Sequence, residues 1–383
     1  MLKDIQQDLG ALKQKGLYRS LRVLESSSGI RAKFLGKQTL LFCGNDYLGL
    51  THHPRVIRAA KKALGKYGVG SGAARLISGT SDLHQKLERK IARFKGKQSA
   101  LVFTAGFLAN LGILTAFAGE QDVIIMDKLC HASLIDGARL SKAEIRVFPH
   151  KNYERCEDLL RKTQDARRRI LVTETVFSMD GDRADLKTLI RLKQKHNALL
   201  VVDDAHGTGV LGRRGHGATE ESGVGNKVDI IMGTLSKAIG ALGGFVAADK
   251  AFIDHLINFA RPFIFATALP PVLCAAAMEA LSTIEEEPVI RKKLWDNIHK
   301  VHAGLSELGF SLMEPESAIL PVIIGDEKKA LSVFEKLLSQ GIFIPPVRYP
   351  TVPKGKARLR VTLSAAHSDK DITKLLKAFK TVS

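Results

Sequence analysis

Polar residues follow two apolar runs that are typical of buried parallel strands. The run Ala198–Asp203 ends at an Asp pair with His206 close behind, and the run Val228–Gly233 is followed by Thr234 and Lys237. A lysine at such a strand end can form a Schiff base with an aldehyde, and a nearby aspartate can keep a pyridinium nitrogen protonated. The pair predicts chemistry of the pyridoxal phosphate kind.

Each of these residues also has a simpler interpretation, as a turn residue or a solvated surface charge. A competing motif lies in the same stretch, because Gly207–Gly212 reads G-x-G-x-x-G after a strand. The dinucleotide fingerprint must open a helix, however, and the glycine-containing segment Arg213–Gly217 follows instead. Two aspartates before the motif would also repel a pyrophosphate. We therefore expect no dinucleotide site.

The composition is that of an ordinary globular protein. The chain has 383 residues, of which 45% are hydrophobic and 25% charged, which indicates two or three structural units. The four cysteines lack metal-ligand spacing and predict reduced thiols, and the amino terminus does not resemble a signal peptide. The apolar stretches are too short or too interrupted for a membrane span. We expect a cytoplasmic protein with no bound metal.

The net charge is strongly positive, with 58 Lys and Arg against 39 Asp and Glu, giving +19. Such a balance suits a polyanionic partner such as coenzyme A, an acidic carrier protein or nucleic acid. The basic residues are spread along the chain, and the densest cluster, residues 161–169, contains no aromatic platform for single strands. This favours a generally basic surface over nucleic-acid binding, which stays as a rival function.

The pattern of apolar runs predicts the architecture. Residues 1–40 favour an amphipathic helix and then a polar arm, whereas residues 100–248 alternate short apolar strands with helices, which is typical of a mostly parallel sheet covered on both faces. Longer helices and alternating strands after residue 271 predict a smaller α+β unit. We expect an amino-terminal helix and arm over 1–45, a large α/β domain over 46–285 and a small α+β domain over 286–383.

Further candidate residues lie where ligands of such sheets bind, beyond the carboxyl ends of the strands. Gly106 and Phe107 open a helix after a strand and suit a phosphate, and His131 can stack on an aromatic ring. Arg358 and Arg360 share one face of an alternating strand. One of them can clamp a carboxylate, or the pair can simply be a surface feature of an edge strand.

Several longer segments, taken together, resemble the α-oxoamine synthase family over nearly the whole chain. They are Asn45–Leu50, 70–72, Ser133–Gly137, Val176–Gly181, Asp203–Gly209, Thr234–Lys237, Pro350–Pro353 and Ala357–His367. The resemblance implies an α/β, fold-type I transferase that depends on pyridoxal 5′-phosphate. It has a mostly parallel large domain and a smaller α+β carboxyl-terminal domain. It also implies a homodimer with its active site at the interface.

The resemblance also implies roles for individual residues. Lys237, His131 and Asp203 would be catalytic, with Lys237 carrying the cofactor, His131 stacking on its ring and Asp203 holding the ring nitrogen. The other cofactor-binding residues would be Gly106, Phe107, Ser178, His206, Thr234 and, toward the partner subunit's cofactor, Thr267. The substrate-binding residues would be Arg19, Asn45, His131, Thr351 and Arg360, of which Arg360 holds the amino-acid carboxylate.

The segments Ala205–Gly209 and Pro350–Pro353 resemble most the branch of the family that serves biotin biosynthesis. That branch condenses L-alanine with a pimeloyl thioester, carried on coenzyme A or on a carrier protein, and releases carbon dioxide and the free thiol. The alternatives are a glycine-using relative, such as 2-amino-3-oxobutyrate CoA ligase, and an aminotransferase. We expect no nucleic-acid or membrane partner.

Overall fold

The computed structural model describes residues 1–15 and 17–382, which form two compact units. The large unit contains residues 45–295 and 316–318, and the small unit contains residues 1–44, 296–315 and 319–383. The amino-terminal 44 residues thus group with the carboxyl-terminal part of the chain. The division into 1–45, 46–285 and 286–383 stays a prediction.

A seven-stranded sheet forms the centre of the large unit. Neighbouring strands run in parallel except Gly244–Ala248, which is antiparallel to the strand on each side. The spatial order is Ser99–Phe103, Gly244–Ala248, Ile230–Thr234, Leu199–Asp203, Arg169–Glu174, Val123–Asp127, Glu144–Phe148. The predicted mostly parallel sheet is confirmed. The edge strand Glu144–Phe148 was not predicted, because most of its residues are exposed or half-buried and it lacks a continuous apolar run.

Helices surround this sheet and bury its apolar side chains. On one face, Phe103, Met126 and Val201 of the strands pack in one cluster with Ile113 and Leu256 of two helices. The helices of the large unit are Pro54–Tyr67, Asp82–Lys95, Gly106–Phe117, Ala132–Leu140, Tyr153–Lys162, Leu186–Lys195, Ala218–Glu221, Lys250–Phe259, Arg261–Ile264 and Pro271–Glu286. Single turns of other helix types are Leu50–His52, Arg75–Gly79 and Gly225–Lys227.

The small unit contains two further sheets. The strands Ser26–Ser28, Arg31–Phe34, Lys37–Leu41 and Ile342–Phe343 form one, and Ile319–Gly325, Ala357–Thr362 and Pro346–Val347 form the other, each in that spatial order. Its helices are Leu2–Gln14, Glu327–Ser339 and Asp369–Phe379. The long helix Pro288–Glu307 carries the chain from the large unit into the small one.

Two sequence-based expectations for the small unit are wrong. The polar arm contains a hairpin, in which Arg31–Phe34 pairs with Lys37–Leu41 around a tight turn. Its alternation of buried Ala32 and Phe34 with polar residues is the signal of a half-buried strand. The strand carrying Arg358 and Arg360 is not an edge strand, because it lies between two others and all six of its residues are buried.

Within the described residues, no helix has the length and apolar character needed to cross a bilayer. The four cysteines are free thiols.

Candidate active site

The two adjacent aspartates at the end of the strand Leu199–Asp203 have different surroundings. Asp203 accepts hydrogen bonds from Asn110 Nδ2 at 2.8 Å and from the Ala205 N–H at 2.9 Å, and it forms no ion pair within the described residues. Asp204 is fully buried and receives Lys95 Nζ at 2.7 Å, with Lys95 equally buried. The charge of Asp204 is therefore neutralised inside the protein, whereas that of Asp203 stays available to a ligand.

The glycine-rich segment after these aspartates packs around the Lys95–Asp204 pair. A Cβ atom at Gly207 or Gly217 would lie 2.2 or 1.9 Å from a carboxylate oxygen of Asp204. Lys95 Nζ also donates to Thr208 Oγ1 and to the His216 carbonyl, at 2.7 and 2.6 Å. No helix opens at the G-x-G-x-x-G motif, as predicted. These glycines allow backbone to approach a buried ion pair, and they form no dinucleotide loop.

A hydrogen-bonded chain leads inward from Lys237. Lys237 Nζ lies 2.9 Å from His206 Nε2, and His206 Nδ1 lies 2.7 Å from the buried Tyr47 hydroxyl. Tyr47 in turn donates to Asn45 Oδ1 at 3.0 Å. One tautomer fits all three contacts, with His206 donating from Nδ1 to Tyr47 and accepting at Nε2 from Lys237. His206 can therefore take a proton from the Lys237 amine or orient it.

A second chain fixes His131. Asn110 Nδ2 donates to Ser133 Oγ at 2.9 Å, and His131 Nδ1 accepts from the Ser133 N–H at 3.2 Å and lies 2.8 Å from Ser133 Oγ. His131 as a whole residue is exposed, yet nearby protein desolvates its ring, and this lowers its pKa; the Asp203 charge opposes the shift and the Lys237 charge adds to it, with a net lowering. The imidazole is therefore neutral, and a flat, uncharged ring suits stacking. Asn110 links His131 to Asp203, since it bonds to both chains.

The predicted phosphate-binding corner is formed by the start of the helix Gly106–Phe117. Its N-cap residue, Ala105, has no side chain that can cap the first N–H groups, so these groups can bind an anion. A Cβ atom at Gly106 would lie 3.0 Å from Met232 Cε and 3.4 Å from Thr234 Oγ1, so glycine lets the helix start approach the Thr234 hydroxyl. Thr234 also accepts from the Ser236 N–H at 3.2 Å. Amides and hydroxyls thus converge at one corner.

The loop that carries the half-buried Ser178 is anchored by a histidine on another element. His150 contacts Asp127 through Nδ1 at 3.0 Å and Asp182 through Nε2 at 2.9 Å, and its ring packs on Phe177. Burial opposes a charge on His150, but the two carboxylates outweigh burial and raise its pKa to about 9. His150 is therefore a protonated bridge between a strand end and the Ser178 loop.

We expect His150→Gln to remove a pH-dependent part of the stability. The folded-state pKa of His150 is raised above the ordinary 6.5, so its stabilisation is fully present below pH 6.5 and is lost as the pH rises through about 9. Denaturant midpoints measured across this range should fall for the parent protein and fall less steeply for the variant. Equal slopes in the two proteins would show that His150 carries no such charge.

The other predicted residues are Thr267 of the large unit and Arg19, Thr351 and Arg360 of the small unit. Thr267 is exposed and forms a bridge with Ala74. In the small unit, Arg19 Nη2 lies 3.4 Å from Thr351 Oγ1, and Arg360 is buried in the central strand of the three-stranded sheet.

Sequence reasoning missed several residues that support the site. Tyr47 and Ser133 lie inside motifs that were recognised, but no role was predicted for either side chain. Asn110 is a polar residue in an otherwise apolar helix, which is a signal that could have been used. Glu174 ends a strand beside Asp203 and gave no signal beyond strand termination. Within the described residues, no group of His, Cys, Asp and Glu side chains could hold a metal ion.

Comparison with known proteins identifies the family. The family described as aminotransferase class I and II matches residues 37–379. An 8-amino-7-oxononanoate synthase of Thermoanaerobacter pseudethanolicus is 45% identical over 99% of this chain and 96% of its own length. One of Geobacter sulfurreducens is also 45% identical, over 99% and 97%. The chain belongs to the 8-amino-7-oxononanoate synthase family. Members are pyridoxal-phosphate-dependent acyltransferases, and the enzyme class and family predicted from the motifs are confirmed.

Solved structures of related enzymes have the same fold. Serine palmitoyltransferase of Sphingomonas wittichii is 35% identical with a TM-score of 0.94, covering 99% of this chain and 96% of its own. An 8-amino-7-oxononanoate synthase of Francisella tularensis is 30% identical with a TM-score of 0.77, covering 90% and 97%. The fold-type I architecture is confirmed, and so is the cofactor, pyridoxal phosphate. The roles of individual residues stay predictions.

The residues present fit this cofactor. Asp203 offers a carboxylate that forms no ion pair within the described residues, Lys237 offers a half-buried amine, and the helix start at Gly106 offers amides to a phosphate. In addition, two buried oxygens, Asn110 Oδ1 and Glu174 Oε1, have no hydrogen-bond partner within the described residues.

Proposed function

We propose that this chain condenses L-alanine with a pimeloyl thioester, giving 8-amino-7-oxononanoate, carbon dioxide and the free thiol. The observation that carries the proposal is the contact of Lys237 Nζ with His206 Nε2 at 2.9 Å, in the same unit as Asp203 and His131. The 45% identity with enzymes that carry this name supports the substrate pair.

Pyridoxal phosphate supplies an aldehyde that binds an amine and a pyridinium ring that accepts the electron pair left on the alanine Cα. Lys237 would hold the cofactor and, once displaced by alanine, remove the Cα proton through Nζ. A general base needs an unprotonated amine. His206 Nε2 can accept a proton or hydrogen bond from Nζ, and Tyr47 and Asn45 hold the imidazole in the tautomer that does so.

Asp203 would keep the ring nitrogen protonated. Its two bonds, from Asn110 and from the Ala205 N–H, fix the carboxylate without neutralising it. His131, held by Ser133, would cover one face of the ring and exclude water from it. Asn110 bonds to both Asp203 and Ser133, so one side chain positions both the Asp203 carboxylate and the His131 ring.

The small unit contains basic residues that could bind the anionic substrates. Arg360 would hold the alanine carboxylate, and Arg19 and Thr351 would contact substrate. A cleft of about 760 Å³ in the small unit is lined by Lys13, Lys15, Lys328, Arg348 and Lys354, against Asp326 and Glu327. This excess of positive charge suits a phosphorylated thioester carrier, and it fits coenzyme A and an acidic carrier protein equally.

The experiment supplies alanine, glycine and serine separately with pimeloyl- and acetyl-coenzyme A and measures thiol release. We expect alanine with pimeloyl-coenzyme A to be the fastest pair. Glycine with acetyl-coenzyme A as the fastest pair would assign the chain to the glycine-using branch. Serine as the preferred amino acid would instead assign the chain to the activity for which its solved neighbours are named, serine palmitoyltransferase. Transamination without thiol release would defeat the synthase proposal.

We also propose a homodimer that completes the site. Apolar side chains on the segments around Thr267 and around its bridge partner Ala74 are exposed in the isolated chain, including Val69 at 79%, Ile77 at 82% and Phe265 at 69%. The bridge between Ala74 and Thr267 brings these two segments together. A patch of this kind marks a protein interface, and a second copy covering it would bring Thr267 toward the partner's cofactor.

Ile77→Arg should weaken the dimer, because a charge would be buried in the proposed interface. Sedimentation at micromolar concentration should then show monomer, and cofactor retention after dialysis should fall. The control is Val289→Arg, which changes another exposed apolar residue outside this patch, at 66% exposure, and should leave both properties unchanged. A parent protein that sediments as a monomer would exclude the dimer.

A further inference from the structure

Glu174 is a buried carboxyl group with no assigned role. It ends the strand Arg169–Glu174, in register with Asp203 on the neighbouring parallel strand, and only 2% of the residue is exposed. Side chains in register on parallel strands point to the same face, so the two carboxyl groups are neighbours. Oε1 of Glu174 has no hydrogen-bond partner within the described residues.

The surroundings of Glu174 disfavour a second negative charge. The carboxyl group accepts a hydrogen bond from the His131 backbone N–H. The ionisable groups that act on it include Asp203, Asp127 and Lys237, and it acts in turn on the Cys130 thiol. Burial, and next the Asp203 charge, raise the pKa of Glu174 well above its ordinary 4.5, and Lys237 offsets this only in part.

Asp203, and not Glu174, is the member of the pair whose charge the protein stabilises. Asp203 accepts two hydrogen bonds, one on each oxygen, at 2.8 and 2.9 Å. Glu174 has one oxygen without a partner. When two carboxyl groups share a buried site, the one with fewer donors keeps its proton.

We propose that Glu174 is a positioning residue that stays a neutral carboxylic acid between His131 and Asp203. Its carbonyl oxygen holds the backbone of His131, and its proton resides on Oε1. Because Glu174 is uncharged, Asp203 is the only carboxylate of the pair that acts on the ring nitrogen. The effect on the ring nitrogen rests on the proposed function, whereas the protonation state of Glu174 does not depend on it.

Two variants distinguish the effect of an uncharged Glu174 from the effect of its packing. Glu174→Gln keeps an acceptor for the His131 N–H and is neutral at every pH. Glu174→Leu is also neutral but cannot accept the bond, so it should release the His131 backbone. If Glu174 were an ionised group, both variants would remove a negative charge beside Asp203, and both would shift the titration of the cofactor's absorbance in the same direction.

The test is an infrared difference spectrum of cofactor-free protein, parent minus Glu174→Gln, at neutral pH. We expect one protonated-carboxyl C=O band, which shifts in D₂O. Glu157, a half-buried and ion-paired carboxylate, is the matched control, and its Glu157→Gln difference spectrum should show only a carboxylate band. A carboxylate band for Glu174 as well would overturn the proposal.

A second measurement reports on the position of His131. With pyridoxal phosphate bound, the pH midpoint of its visible absorbance should be unchanged in Glu174→Gln, whereas the cofactor dissociation constant should rise about tenfold in Glu174→Leu, as for one lost hydrogen bond. A midpoint that moves in Glu174→Gln would overturn the proposal. If the parent protein develops no visible absorbance with the cofactor, the proposed function fails, while the infrared result still decides the state of Glu174.

Discussion

Asp203→Asn is expected to abolish most of the turnover while leaving the fold intact. The amide cannot hold a proton on the ring nitrogen, and the loss of one preorganised electrostatic group costs on the order of 10²–10³-fold in rate or more. Asparagine has nearly the same shape and keeps an oxygen that can accept from the Ala205 N–H or from Asn110. Thiol release at saturating alanine and pimeloyl thioester measures the turnover, and the thermal unfolding midpoint measures whether the fold is intact.

Asp204→Asn is the matched control, since it makes the same chemical change one residue away. It leaves the buried ammonium of Lys95 without its carboxylate, and breaking a buried ion pair costs about 3–5 kcal/mol of stability. We therefore expect a lower unfolding midpoint, and turnover per folded molecule much closer to that of the parent. The reverse pattern, with a stable but inactive Asp204→Asn and an active Asp203→Asn, would assign the ring nitrogen to Asp204.

Lys237→Ala is expected to be the other severe change. It removes the amine that would hold the cofactor and move the Cα proton, and the loss of a general base alone costs roughly 10²–10⁴-fold. Lys237 is half-buried, and the surrounding strand ends pack without it, so the protein should still fold. Cofactor bound to a variant that lacks this lysine should be lost on dialysis. Absorbance measures directly how much cofactor remains.

The control for this prediction is Lys250→Ala. Lys250 is exposed and, among the residues that the structure describes, its ammonium pairs only with Asp254 in its own helix, so its loss should change neither turnover nor cofactor retention. Turnover of Lys237→Ala within tenfold of the parent would mean that another group moves the proton.

Much of the large unit follows from the sequence because its strands are buried on both faces. Residues 198–202, for example, are all apolar, so the end of the strand, and the polar residues that follow, can be located from the pattern alone. Where a strand is partly exposed this signal fails, as it does for Glu144–Phe148 and for the hairpin of the small unit.

The choice between the two aspartates could not come from local pattern, because both follow the same apolar run. Asp204 is identified as structural by Lys95, which lies 109 residues earlier on a helix, and only the folded chain brings them together. The family motif nevertheless pointed to Asp203. The supporting residues Asn110 and Tyr47 were missed for the same reason, since their partners are distant in the sequence.

Lys237 is expected to carry the cofactor beside Asp203 and His206. Borohydride reduction of the cofactor-loaded protein, followed by proteolysis and mass spectrometry of the peptides, tests it most directly. We expect a reduced pyridoxyl group on Lys237, absent from Lys237→Ala. A label on a different lysine of the parent protein, with Lys237 unmodified, would contradict it.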